Sequence, residues 1–140
     1  PSGGSACKRL NLFLRWMVRR DAVDFGLWTR VSPARLIVPL DVHVVRLGRC
    51  LRLTRLTTPG WRMAADITAA LRAVDPGDPV RFDFSLCHAG MEGRCGFGRR
   101  QGDAECPLRG LCHPGGRPAT ARPRTGAVRT VRAMARRRPA

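Results

Sequence analysis

Acidic residues are scarce in this chain: ten Asp and Glu stand against 26 Lys and Arg in 140 residues, and none lies beyond position 112. Residues 113–140 carry eight arginines, so residues 1–112 keep 26 − 8 = 18 basic residues against all ten acids, a net charge of +8. The folded part is therefore expected to be basic before its tail is counted. Such a charge suits a polyanion, either nucleic acid or an anionic membrane surface, and the plain alternative is a solubilising surface. Long apolar runs are also lacking. The longest, Leu10–Leu14 and Leu36–Leu40, fall far short of the roughly 20 residues that cross a bilayer. No membrane partner is expected, no signal peptide is visible, and the chain reads as cytoplasmic. It opens inside a motif at Pro1, and the expectation is that it is the carboxyl-terminal part of a longer protein.

Lysine is nearly absent. Lys8 is the single one among 26 basic residues, so where charge alone is wanted this sequence uses Arg. An amine that must lose its proton and attack cannot be Arg, which stays protonated, and this singles out Lys8 as a candidate nucleophile. The competing explanation is chance survival of one surface lysine. No alternating pattern suggests a strand and no internal repeat is present. The six cysteines, with no secretory context, point to free thiols or a metal site rather than disulfides.

Helical signals run through the first ninety or so residues. Leu10, Phe13, Leu14 and Met17 recur at helical spacing and predict an amphipathic helix over Ser5–Val18, fed by a tight turn at Gly3 and Gly4. Asp21–Val38 reads as a connector with at most a short helical turn. Asp41 is a good N-cap for a second helix with Val44, Val45, Leu47 and Leu51 inward. Thr58-Pro59 predicts the start of a third helix to about Val74, and Asp78-Pro79 a fourth ending near Met91. The expected class is all-α, with a helical region over 1–94, a cysteine loop over 95–112 and a disordered Arg-rich tail over 113–140.

Three motifs carry candidate chemistry. In Ser2-Gly3-Gly4-Ser5-Ala6-Cys7-Lys8-Arg9, a glycine turn enters a helix amino terminus, where backbone N–H groups and the helix dipole attract an anion. Gly3, Gly4, Ser5 and Arg9 are the candidate DNA-phosphate contacts, which would position rather than specify. In Val38-Pro39-Leu40-Asp41-Val42-His43, a carboxylate behind apolar residues opens a helix. It is either an N-cap alone or, once desolvated, a base or a stabiliser of developing positive charge. His43 is read as structural. The third motif holds Cys95, Cys106 and Cys112, with Cys87 two helical turns before Cys95.

The segment Lys8-Arg9-Leu10-Asn11-Leu12-Phe13-Leu14 resembles the Lys-Thr-Ala-Asn-Val-Val-Leu run of the endonuclease III family of helix-hairpin-helix (HhH-GPD) DNA glycosylases. Leu40-Asp41-Val42-His43-Val44-Val45-Arg46-Leu47 is similar to that family's Val-Asp-Thr-His-Ile-Phe-Arg-Val. Gly4 to Arg19 is more similar still to an uncharacterised bacterial family filed in the same superfamily, which shares Gly-Ser-Ala-Cys-Lys-Arg-Leu-Asn and Phe-Leu-Arg-Trp-Met-Val-Arg runs. The resemblance covers residues 1–112 and departs from the pattern in three places. Ala6 stands at the second hairpin glycine, Val42 at the usual Thr, and the 33 positions from Lys8 to Asp41 exceed the family's connection.

The resemblance implies the carboxyl-terminal part of a two-lobed helical glycosylase, monomeric and nucleoid-associated, acting on damaged or abasic duplex DNA. It implies Lys8 as Schiff-base nucleophile and Asp41 as catalytic carboxylate. It also implies a metal loop, since these glycosylases often end in Cys-x6-Cys-x2-Cys-x5-Cys around a 4Fe–4S cluster. Cys106 and Cys112 match the last two ligands and Cys95 is placed like the first, whereas Asp103 stands at the second, so Cys87 or His113 would complete a site for a cluster or zinc, the alternative being a degenerate site held by packing alone. The alternatives are a non-catalytic nucleic-acid-binding module and a truncated, inactive glycosylase homologue.

Overall fold

Four α-helices and no strand make up the described residues, so the chain is all-α: α1 (Lys8–Val18), α2 (Val42–Cys50), α3 (Trp61–Arg72) and α4 (Asp83–Met91). Short 3-10 turns, Pro33–Arg35 and Pro79–Phe82, precede α2 and α4. The computed structural model describes residues 3–92, 106, 108 and 110–112. Cys95, Asp103 and the tail over 113–140 lie outside the described residues.

The core forms where the apolar faces of α2, α3 and α4 meet. Val44, Leu47 and Leu51 point inward as their spacing predicts, against Met63, Ile67 and Leu71 of α3 and Leu86 of α4. Val38 and Leu40 close one side of this core, and Cys106 and Leu108 are buried in it. Burying such side chains stabilises by about 1.5–3 kcal/mol each before the entropic cost of ordering them. Gly48 lets Ile67 pack close against α2, because a Cβ there would come within 2.7 Å of Ile67 Cδ1 and push that side-chain end aside.

Three helix starts differ from the sequence expectation, the simplest being α4, which opens at Asp83 because Asp78-Pro79 begins the short 3-10 turn ahead of it. α1 begins at Lys8 rather than Ser5, because Ser5 to Cys7 is taken up by the turn and Cys7 adopts a left-handed backbone with φ 48°. α3 begins at Trp61 with Gly60 as its N-cap, so Thr58-Pro59 belongs to the preceding loop. The Trp61 N–H is satisfied by the Gly4 carbonyl, a partner 57 positions back that no local capping signal announces.

α1 shows the largest departure. Its periodicity is helical and Leu14 packs against the core as its spacing predicts, but the buried positions are Asn11, Arg15 and Val18, while Leu10 and Phe13 are exposed and Met17 is half-buried. Leu10 is 56 % exposed and Phe13 44 %, and Phe13 packs edge-on against Trp28, with ring centroids 5.7 Å apart. The reason lies in the connector. Phe25 and Gly26 N–H groups donate to the Trp16 carbonyl, and Trp28 N–H to that of Met17, so the connector folds back along the end of α1. It brings Asp24, which is buried, under Arg15 and Arg19.

A charged cluster lies beneath α1 beside the apolar packing of Leu14 and Val18. Arg15 donates from Nε to Asp24 at 3.1 Å and from Nη1 to Asp83 at 2.5 Å. Arg19 also pairs with Asp24 and reaches Asp78 at 2.8 Å and Asp21 at 2.9 Å. Buried charges persist only when paired, and Arg supplies the fork that can serve two carboxylates at once. The connector is tied at its other end by Arg72, which donates to the Ala34 carbonyl, and by Thr68, which accepts from the Val38 N–H.

Candidate functional site

The hairpin ahead of α1 is held by a few directed bonds. Gly4 takes a left-handed φ of 73°, open to glycine without strain, and its carbonyl accepts from Trp61 N–H at 3.1 Å. A Cβ on Gly60 would lie 2.7 Å from that same oxygen, so two glycines permit the contact. Ser5 Oγ accepts from Cys7 N–H, and buried Asn11 donates Nδ2 to the Ala6 carbonyl at 3.0 Å. Asn11 was not singled out by its sequence context, yet it ties the turn to the helix. Gly3, Gly4, Ser5 and Arg9 are exposed around this turn.

Asp41 arrives from the other direction. Val38 and Leu40 are buried, and Thr68 Oγ1 fixes the backbone at Val38, so the strand-like approach to Asp41 is anchored by α3. Asp41 Oδ1 accepts from Val44 N–H at 2.7 Å, the cap expected from the sequence. This leaves Oδ2 free to meet other groups. Lys8 Nζ lies 4.0 Å from it, so the two residues singled out for chemistry share one site. Asp41 is nearly enclosed, its side chain 13 % exposed, whereas that of Lys8 is 52 % exposed.

A third group completes the site. Cys87 of α4 donates its thiol to Asp41 Oδ2 at 3.2 Å. Gly90, one turn further along α4, permits the close approach to His43 on α2 that brings Cys87 to Asp41. Burial, and the Asp41 carboxylate it faces, push the Cys87 thiol up to about 11. Asp83, one turn before Cys87, is pushed up to about 6 by burial, with the nearby charges of Asp41 and Asp24 adding to the effect and Arg15 opposing it. That direction follows from the surroundings, because Arg15 and Arg19 are shared among Asp21, Asp24, Asp78 and Asp83.

Of the expected metal ligands, Cys87 turns its thiol toward Asp41 Oδ2. Cys106 is buried in the core and Cys112 half-buried against it, at either end of a turn in which Leu111 and Cys112 N–H groups donate to the Leu108 carbonyl. Among the described residues no three His, Cys, Asp or Glu side chains are grouped to hold a metal ion, and Cys95 lies outside them. His43 has a buried Nδ1 without a hydrogen-bond partner and sits against Gly90, in keeping with a packing role. A cleft of about 490 Å³ lies beside the hairpin, lined by Gly4, Thr57, Thr58, Trp61 and Arg62 among others, with neither Lys8 nor Asp41 on its wall.

The stretch that builds this site, residues 1–92, is the stretch matched by a known family, described as a protein of unknown function (DUF2400). The chain belongs to the DUF2400 family. The match spans α1 to α4, with Lys8, Asp41 and Cys87 inside it, and stops before the cysteine loop and the tail. No curated protein and no solved structure matches this DUF2400 chain. Among the described residues of the DUF2400 protein, no helix is long and apolar enough to cross a membrane.

Proposed function

We propose that this protein excises damaged bases from DNA, with Lys8 as nucleophile and Asp41 as its carboxylate partner. The observation that carries the reading is the 4.0 Å approach of Lys8 Nζ to Asp41 Oδ2, made by residues 33 positions apart in the two segments that resemble helix-hairpin-helix glycosylases. The site would act on a nucleotide turned out of the duplex. Asp41 accepts a proton from the Lys8 ammonium, and the free amine attacks C1′ of the sugar as the bond to the base breaks. The sugar ring then opens, O4′ leaving C1′ and taking up the proton that the nitrogen gives up, and the imine so formed makes the 2′ proton acidic; loss of that proton expels the 3′ phosphate and cleaves the strand. Exposed Gly3, Gly4, Ser5 and Arg9 stand around the hairpin beside Lys8, where a DNA phosphate would be met by backbone N–H groups and a guanidinium.

The half-exposed Lys8 side chain favours a second reading, in which Lys8 only contacts phosphate and the protein is a binding module without chemistry. Borohydride trapping on duplex DNA with an abasic site separates the two. The excision reading expects a covalent complex from the parent chain and none from Lys8→Gln or Lys8→Arg, with DNA binding largely kept in the Arg variant. A Lys8→Arg variant that traps as well as the parent sinks it.

A further inference from the structure

Asp41 Oδ2 faces two groups, and only Lys8 has a part in the proposed reaction. The other is Cys87, whose Sγ lies 3.2 Å from Oδ2 and 3.6 Å from Met91 Sδ. We propose that Cys87 is a positioning residue, its thiol holding Asp41 Oδ2 by an S–H···O hydrogen bond so that the carboxylate stays turned toward Lys8. The proposal rests on the reading of Lys8 and Asp41 as the reacting pair.

Four features support it. First, Asp41 Oδ1 is committed to the Val44 N–H, which fixes the plane of the carboxylate at one oxygen and leaves Oδ2 as the one that can work. A second bond at Oδ2 removes the remaining freedom. Second, the thiol is seated between its two neighbours, with Sγ 3.2 Å from Asp41 Oδ2 and 3.6 Å from Met91 Sδ. An S–H group placed there donates to the carboxylate. Third, the approach of α4 to α2 is set by the contact of Gly90 with His43, so Cys87 is delivered by rigid packing rather than by a loop. Fourth, the titratable groups around Asp41 come from two neighbouring elements: Lys8 from α1, and Asp83 and Cys87 from α4. A hydrogen-bond donor beside a carboxylate stabilises its charged form and lowers its basicity. Cys87 would thus hold Oδ2 in place within reach of Lys8 Nζ.

Two measurements test this on the full chain. Peptide-resolved alkylation followed by mass spectrometry reads the reactivity of Cys87 itself. In the parent it should stay slow at pH 8, and Asp41→Asn should speed it on the order of tenfold or more, because the thiol loses the carboxylate that holds its proton. Equal rates in the two proteins overturn the hydrogen bond. The second measurement is the pH profile of borohydride trapping on abasic DNA. Cys87→Ala should move the acid limb to higher pH and slow trapping several-fold, and Cys87→Ser, which keeps a donor, should restore the parent profile. Parent-like profiles for both variants overturn the positioning role. A parent chain that never traps would instead count against base excision, and the alkylation contrast would still decide whether thiol and carboxylate are bonded.

Discussion

Gly90 and His43 are in contact at the crossing of α4 and α2, so closely that a Cβ at Gly90 would sit 2.7 Å from the Cβ of His43. The obstacle is the root of a side chain rather than its flexible end, so it cannot swing aside. Gly90→Ala gains about 1 kcal/mol of helix propensity but overpacks the crossing at a cost of about 1–3 kcal/mol. The variant should be less stable in urea unfolding. It should also lose the slow alkylation of Cys87, because the displaced α4 carries the thiol away from Asp41.

Thr68 anchors the approach to Asp41 from below. Its hydroxyl accepts from the Val38 N–H at 3.0 Å and donates to the Ala64 carbonyl at 2.6 Å, and the side chain is fully buried. Thr68→Val keeps the shape and leaves the Val38 N–H without a partner, a loss of about 1–3 kcal/mol. Chemical denaturation should show that loss without a change in slope.

Stability should fall as pH rises through the range set by Asp83. Its carboxyl is raised from 3.8 to about 6, so between those values the folded chain holds a proton that the unfolded chain has released. The contribution is therefore full below about pH 4 and lost by the time pH passes about 6. Asp21 and Asp75 act in the opposite sense. Burial tends to raise both, but backbone N–H groups together with Arg19 and Arg81 respectively hold them below the usual carboxylate value. What they contribute is lost as pH falls into the carboxylate range. Comparing the parent with Asp83→Asn isolates the first effect: the difference in unfolding free energy between the two proteins should change between pH 4 and 6 and level off above.

DNA binding, under the proposed function, should depend steeply on salt and little on undamaged sequence, since contacts are to phosphates. Deleting residues 113–140 removes eight arginines. The slope of log K against log salt should become shallower by about 0.9 for each phosphate contact given up. Equal slopes for the two forms, measured by fluorescence anisotropy, would show that the tail makes no phosphate contacts.

How much of this was readable beforehand depended on whether the signal was local. The Asp41 cap was, because an N-cap interacts with a backbone N–H three residues on and the apolar spacing of α2 follows directly. The all-α class followed from the same kind of evidence. α1 misled because helical spacing defines a stripe without saying which stripe is covered. Here Asp24 and Asp83, from two distant segments, meet Arg15 and turn the polar stripe inward. The start of α3 depended on Gly4, and the role of Cys87 depended on a carboxylate 46 positions away. Neither has any mark in its own neighbourhood. Lys8 and Asp41 were singled out through resemblance and side-chain chemistry, and their meeting is a property of the fold.

Arg15 touches the connector through Asp24 and α4 through Asp83 with a single guanidinium. The connector cannot swing outward without stripping one charge from that fork, nor can α4 unwind its first turn without stripping the other. Amides of the connector near Asp24 and of the first turn of α4 should therefore exchange with solvent deuterium as one group, at one opening free energy, despite lying about sixty positions apart. A segment leashed in this way is poorly suited to serve as a hinge, and any widening of the Lys8–Asp41 site has to come from the hairpin side, where Gly4 holds α3 by one carbonyl.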